Sequence, residues 1–157
     1  MVADRVEREI LIQAPVEVVW RVVTEPEQIS RWWSDTADID LRPGGEGTLT
    51  WDARATSQAA TVRIVVQRLE PPHLFSFRWL HPAGAEAREG NSALVEFTLA
   101  AEGEGTRLRV VESGLLALDW PEQERARYAE EHGSGWDVHL ASLRDHVARV
   151  SRASAPS

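Results

Sequence analysis

From Glu46 to Val110 the chain keeps returning to one pattern, with apolar and largely aromatic side chains on one parity and charged or hydroxyl side chains on the other. Gly47, Leu49 and Trp51 oppose Glu46, Thr48, Thr50 and Asp52. Phe75, Phe77 and Trp79 alternate with Ser76 and Arg78. Ala93, Val95, Phe97 and Leu99 oppose Ser92, Glu96 and Thr98, and Leu108 and Val110 oppose Arg107 and Arg109. A period of two places each set on one face of a pleated strand, so these segments predict strands with one dry and one wet face. Residues 61–69 add a strand that is apolar on both parities in its middle. Val6, Ile10 and Ile12 share one parity, broken at Arg8, and predict a first strand; a further one is expected around 37–41.

Turn chemistry separates these segments. Arg42-Pro43-Gly44-Gly45 and Gly103-Glu104-Gly105 supply restricted and permissive backbone angles, and Pro71-Pro72 closes the strand before Phe75. Residues 81–91 are rich in Ala, Gly and charge without any period and read as a loop. Pro15 suits a first helical position, and Val16, Val19, Trp20 and Val23 then recur along one face, giving a short helix near 15–24. Pro26 repeats the signal, with room for about two turns over 27–33, where Ile29, Trp32 and Trp33 are apolar.

The last periodic segment holds Trp136, Leu140, Leu143 and Val147 on one helical stripe. Ser134, within Gly133-Ser134-Gly135, offers its N-cap, and the helix is expected to end near Val150. The charged segment before it, to Glu131, has room for a helical turn. No repeat or linker divides the chain, so the reading is one α+β domain over 1–150 and a frayed tail over 151–157. A curved antiparallel sheet of about six to seven strands wraps the long C-terminal helix, with two short helices after the first strand.

Composition narrows the function. The 157 residues are 43% hydrophobic and 27% charged, ordinary for a folded domain, and the net charge of −8 gives no attraction toward nucleic acid or anionic lipid. There is no Cys, so thiolate catalysis and thiolate metal sites are excluded. The N-terminus is charged where a signal peptide is apolar, and no run approaches the roughly 18 apolar residues of a membrane span, so a cytoplasmic location without membrane insertion is expected. All 17 basic residues are Arg, as a GC-rich genome would produce without any functional cause.

Several short pieces, in order along the chain, carry a resemblance. They are Ala14-Pro15-Val16-Glu17-Val18-Val19-Trp20, Glu25-Pro26-Glu27, Arg31-Trp32-Trp33 and Arg42-Pro43-Gly44-Gly45, then Glu70-Pro71-Pro72, Gly105-Thr106-Arg107-Leu108 and Gly135-Trp136. From about Val6 to Val147 the sequence resembles the family named for the activator of the heat-shock protein 90 ATPase. That family lies in the START-like, helix-grip superfamily that includes polyketide cyclase (SRPBCC-type) domains. The resemblance implies the helix-grip fold and, across the superfamily, lipid carriers, plant hormone receptors, aromatase/cyclases and co-chaperone domains. The eukaryotic activators carry a separate N-terminal domain, whereas here the recognisable domain begins almost at Met1.

Seven Trp residues are many for this length. Trp51, Trp79 and Trp136 fall on the inward parity, and Trp33 and Trp120 lie on flanking elements. With Leu49, Phe77, Val95, Phe97, Val110 and Leu140 they form the expected lining of an apolar interior, in which indole N–H groups can orient one polar atom of a guest. The same set also suits plain core packing. Glu112 continues the inward parity of Leu108 and Val110. A carboxylate there must be hydrogen-bonded, paired or protonated, and could bind a ligand hydroxyl or move a proton. His139 sits at the edge of the helical stripe and can reach the interior, but His146 lies about 10 Å further on, too far to share a metal.

The expected function is therefore binding of a small hydrophobic or amphipathic molecule, with no cofactor, no metal and no catalytic residue, by a monomer or homodimer. The alternatives are a cyclase or dehydratase-like enzyme using Glu112, and a co-chaperone module whose partner is a chaperone.

Overall fold

A computed structural model describes residues 5–51, 60–80, 92–114 and 121–153. The alternating segments are strands, in the order β1 (Arg5–Ile12), β2 (Thr36–Ile39), β3 (Glu46–Trp51), β4 (Ala60–Glu70), β5 (Leu74–Leu80), β6 (Ser92–Glu102) and β7 (Gly105–Ser113). They form one antiparallel sheet of order β1-β7-β6-β5-β4-β3-β2. Six strands thus run as a meander, and β1 closes the far side by pairing with β7, Val6 opposite Glu112 and Ile12 opposite Thr106. The register shifts between Val66 and Arg68. Such a bulge bends a strand and adds twist, which curves the sheet.

Between β1 and β2 lie α1 (Val16–Thr24) and α2 (Pro26–Trp32). Proline stands just before α1 and in the first turn of α2, where a missing N–H costs nothing. Val16, Val19, Val22 and Val23 bury one face of α1. The Trp32 indole N–H donates to the Val22 carbonyl at 2.8 Å and ties α2 to α1. At the β2–β3 turn Gly45 is required: a Cβ there would stand 2.0 Å from the Asp40 carbonyl oxygen.

The last helix, α3 (Glu122–Ala153), packs against β1, α1 and α2. Its stripe is buried as expected, with Trp136, Leu140, Leu143 and Val147 each at most 4% exposed. Its start is a correction. Gly133-Ser134-Gly135 lies inside the helix, Ser134 is exposed in mid-helix rather than capping it, and the charged segment before it is helical from Glu122. The helix also runs through Ala153, beyond the expected end at Val150.

The strand β1 lies close to this part of the helix. Arg8, the residue that breaks the parity of β1, faces α3 and pairs with Asp137 at 2.8 Å. A Cβ on Gly133 would sit 2.8 Å from an Arg8 guanidinium nitrogen, the far end of a flexible side chain that would have to shift. The local helix penalty of about 1 kcal/mol for glycine is tolerated because the surrounding helix is packed.

The wet face carries ion pairs such as Arg107 with Glu9 and with Glu102, and Arg109 with Glu7. Exposed pairs of this kind add at most about 1 kcal/mol each. The expected loop over 81–91 lies outside the described residues. No helix among the described residues is long and apolar enough to cross a membrane.

Candidate functional site

Glu112 is the penultimate residue of β7, between Val6 on β1 and Val95 on β6 in the register, and its inward parity leaves it 0% exposed. Opposite it, one turn after Gly133, α3 presents Trp136. The indole Nε1–H of Trp136 donates to Glu112 Oε1 at 3.1 Å. A hydrogen bond to the carboxylate offsets part of the cost of removing it from water. The strand end does not turn Glu112 to solvent; it delivers the carboxylate to the interior.

Around this pair the inward residues of the sheet supply rings. Leu49, Val95, Val110 and Leu140 are buried in the same core. Phe77, Trp79 and Phe97 are buried on β5 and β6, and Trp51 is partly buried at the end of β3. The centre is taken by Trp33, which directly follows α2 as its C-cap and is 7% exposed. Its ring centroid lies 5.3 Å from Trp136, 5.4 Å from Trp79, 5.9 Å from both Trp51 and Phe77, and 6.3 Å from Phe97. The Trp51 indole N–H donates to the Trp33 carbonyl at 2.8 Å, fixing the cap. These separations are the usual ones for tilted and edge-to-face aromatic pairs. Among the described residues, Trp33 thus stands at the centre of this aromatic cluster.

His139 is half-buried at the rim, with its ring 6.0 Å from Trp136 and 6.3 Å from Trp33. His146 does something else: it hydrogen-bonds Gln28 of α2 at 2.7 Å. Burial, and then the positive charges of Arg149 and Arg31, hold the His146 imidazole below its ordinary value of 6.5. Among the described residues no group of three or more His, Asp or Glu is placed to hold a metal ion.

Sequence reasoning on parity thus brought most of the candidate residues to one place. Trp120 lies outside the described residues. Two contributors were not among the candidates: Trp32, stacked on Trp33 at 5.5 Å, and Phe75, 5.4 Å from Phe77 and 6.2 Å from Phe97. Phe75 shares the parity of Phe77 and Trp79, so the signal for it was present. Two surface clefts lie elsewhere. One of about 220 Å³ runs between Arg8 of β1 and Arg144 of α3, and one of about 750 Å³ lies between the β6–β7 hairpin and the start of α1. Of the candidate residues only Leu140 lines either.

Comparison with solved structures agrees with this architecture. The chain is similar to protein MLL2253 from Mesorhizobium loti (23% identity, TM-score 0.74, covering 92% of this chain and 97% of that one). It is similar to the Aha1 dimer from Colwellia psychrerythraea (20% identity, TM-score 0.68, 91% and 96%). It is also similar to DynU16, a protein in the dynemicin biosynthetic locus (22% identity, TM-score 0.68, 93% of this chain but 48% of that one). At such identities the likeness shows the fold alone. Sequence comparison with curated proteins gives no match. The family described as Activator of Hsp90 ATPase homolog 1-like protein matches residues 13–148. With nearly the whole folded region covered, and with the sheet and gripped helix that the family resemblance implied, the chain belongs to the Activator of Hsp90 ATPase homolog 1-like family.

Proposed function

We propose that the aromatic end of the interior binds a small hydrophobic or amphipathic molecule. The observation that carries this reading is Glu112, wholly buried between Val6 and Val95 in the register and bonded to the Trp136 indole N–H at the edge of the aromatic cluster. Stability alone does not call for a carboxylate here, since an apolar residue of similar volume could pack without its desolvation cost. A binding site gains a strong acceptor that orients one polar atom of a guest. The likeness to DynU16, whose locus is biosynthetic, supports a small-molecule role.

The test is titration with lipids, flavonoid-like aromatics and polyketide fragments, followed by Trp fluorescence and thermal stability. A true ligand at 100 times its Kd stabilises by about 2.7 kcal/mol. Absence of any response across the panel overturns the reading.

The burial of Glu112 also favours a second reading, in which its carboxylate moves a proton in a cyclase or dehydratase-like reaction. That reading requires turnover which Glu112→Gln abolishes; turnover unchanged in that variant refutes it. The family description supports a co-chaperone role as well. It is tested by stimulation of a chaperone ATPase that survives Glu112→Gln.

A further inference from the structure

The two edges of the sheet differ. At one end of the strand order β2 has four residues, whereas β1 at the other has eight, with no strand among the described residues on its outer side. A long edge is a template for pairing with another chain. We propose that the cleft between β1 and α3 receives an extended peptide of a partner protein, added antiparallel to β1, with an acidic side chain two residues before an aliphatic one. This surface does not depend on the ligand site proposed above.

The register tells which backbone groups of β1 face outward. In an antiparallel ladder successive residues turn their N–H and C=O to opposite sides. The Ile12 carbonyl faces β7, since a Cβ on Gly105 would stand 2.7 Å from it, and the pairing with β7 runs unshifted from Arg5 to Ile12. Val6, Arg8 and Ile10 therefore also face β7, and Glu7, Glu9 and Leu11 turn their N–H and C=O outward. One contact agrees independently: the Arg8 guanidinium, which pairs with Asp137, also donates to the Glu7 carbonyl at 2.9 Å and so plugs the edge there. Two residues further on, beside Glu9, a cleft of about 220 Å³ opens, with Ile10 on one wall and Leu140, Ala141 and Arg144 on the other.

The walls define the occupant. A peptide residue opposite Glu9 exchanges backbone bonds with it, and the residues before and after point their side chains toward α3. The one opposite Ile10 meets Leu140 and Ala141, where there is room for a single aliphatic side chain. The helix runs in the same sense as β1, with Gly133 beside Val6 and Asp137 on Arg8. From Asp137 to Arg144 it rises about 10 Å, roughly three strand residues, which sets Arg144 between the levels of Ile10 and Ile12. The residue opposite Ile12 comes two positions earlier in an antiparallel peptide. Arg144 is exposed and makes no ion pair among the described residues, while Arg8 is matched by Asp137 and Glu9 by Arg107. A carboxylate completes the set. A second copy of this chain fits poorly, because pairing two β1 strands about Glu9 sets like charges directly opposite.

The test uses the full chain and blocked hexapeptides of Thr in which Glu stands two residues before Val, Leu or Ile. Calorimetric titration is expected to show one site per chain. Arg144→Glu in the protein, or Lys for Glu in the peptide, should each weaken binding at least tenfold, and the two changes together should restore it. Methylation of the peptide nitrogen that faces Glu9, on the residue after the aliphatic one, should abolish binding. In the free chain the Glu9 and Leu11 amides should exchange with solvent faster than those of Arg8 and Ile10, and the peptide should slow them.

No binding by any of these peptides up to about 1 mM overturns the proposal. So does equal affinity for the methylated peptide, or a charge swap that restores nothing. Slow exchange at Glu9 in the free chain overturns the open edge, and slow exchange that is lost on dilution assigns that edge to a second copy instead of a peptide.

Discussion

Where β1 and β7 meet α1 and the later turns of α3, the interior is aliphatic: Ile12, Val19, Leu108, Leu143 and Val147 are all buried to 1% exposure or less. Where β3, β5 and β6 face Trp33 and Trp136, it is aromatic and carries polar atoms. In the first half apolar contact area is the main support, with a few hydroxyls such as that of Thr106 donating to the nearby Ala14 carbonyl. In the second, indole N–H groups are placed one by one, from Trp32 to the Val22 carbonyl, from Trp51 to the Trp33 carbonyl and from Trp136 to Glu112. The difference separates a part of the core packed mainly by aliphatic side chains from a part in which indole N–H groups and one carboxylate are individually placed.

The comparison breaks most sharply at Leu143, which is 0% exposed. Leu143→Ala is expected to cost about 2–5 kcal/mol in denaturant unfolding while leaving any ligand response at the aromatic end in place. A loss of that response at constant fold would mean the two halves are one unit.

At the aromatic end Trp136→Phe removes the N–H that Glu112 accepts and is expected to cost about 1–3 kcal/mol. Combined with Glu112→Gln, the two changes should depart from additivity by about 0.5–3 kcal/mol, because they share one bond. Additive losses would show that the bond contributes nothing to stability.

Gly133→Ala probes the seam between β1 and α3. In an Arg8→Ala background it should stabilise by about 1 kcal/mol through helix propensity. With Arg8 present the gain should shrink or reverse, since the new Cβ meets the guanidinium. Equal effects in both backgrounds would remove Arg8 as the reason for the glycine.

The smallest expected effect is on pH. The His146 imidazole is held below 6.5 in the folded chain, so the unfolded chain binds the extra proton first. The stability associated with neutral His146 is complete above 6.5 and declines as pH falls from there through the lower folded value. Melting temperature should drop over that window and drop less in His146→Gln; an unchanged slope in that variant would assign the effect to other groups.

Much of this was legible without coordinates. Alternation located β3, β5, β6 and β7 of the meander, while β4 was read from its apolar run and β2 from its place before a turn; parity aimed Glu112 and most of the sheet's rings inward, because a period of two leaves a side chain only two directions. Arg8 was legible only as a fault in the pattern of β1. Gly133-Ser134-Gly135 gave the local signal of a cap, and the helix nevertheless runs through it, because the buried stripe of Trp136, Leu140, Leu143 and Val147 beyond it outweighs the local cost. The bulge between Val66 and Arg68 left no mark in a segment apolar on both parities. Trp33 read as a residue on a flanking helix.

What the sequence by itself determined is thus the set of elements, their dry faces and the placement of one carboxylate among apolar neighbours. Periodicity is a local property, and each strand or helix declares it alone. Only the tertiary structure decided that the Trp33 ring lies between the sheet and α3, with the Trp136 N–H on Glu112. That outcome depends on how elements far apart in the chain fill one shared volume, and no local period records it.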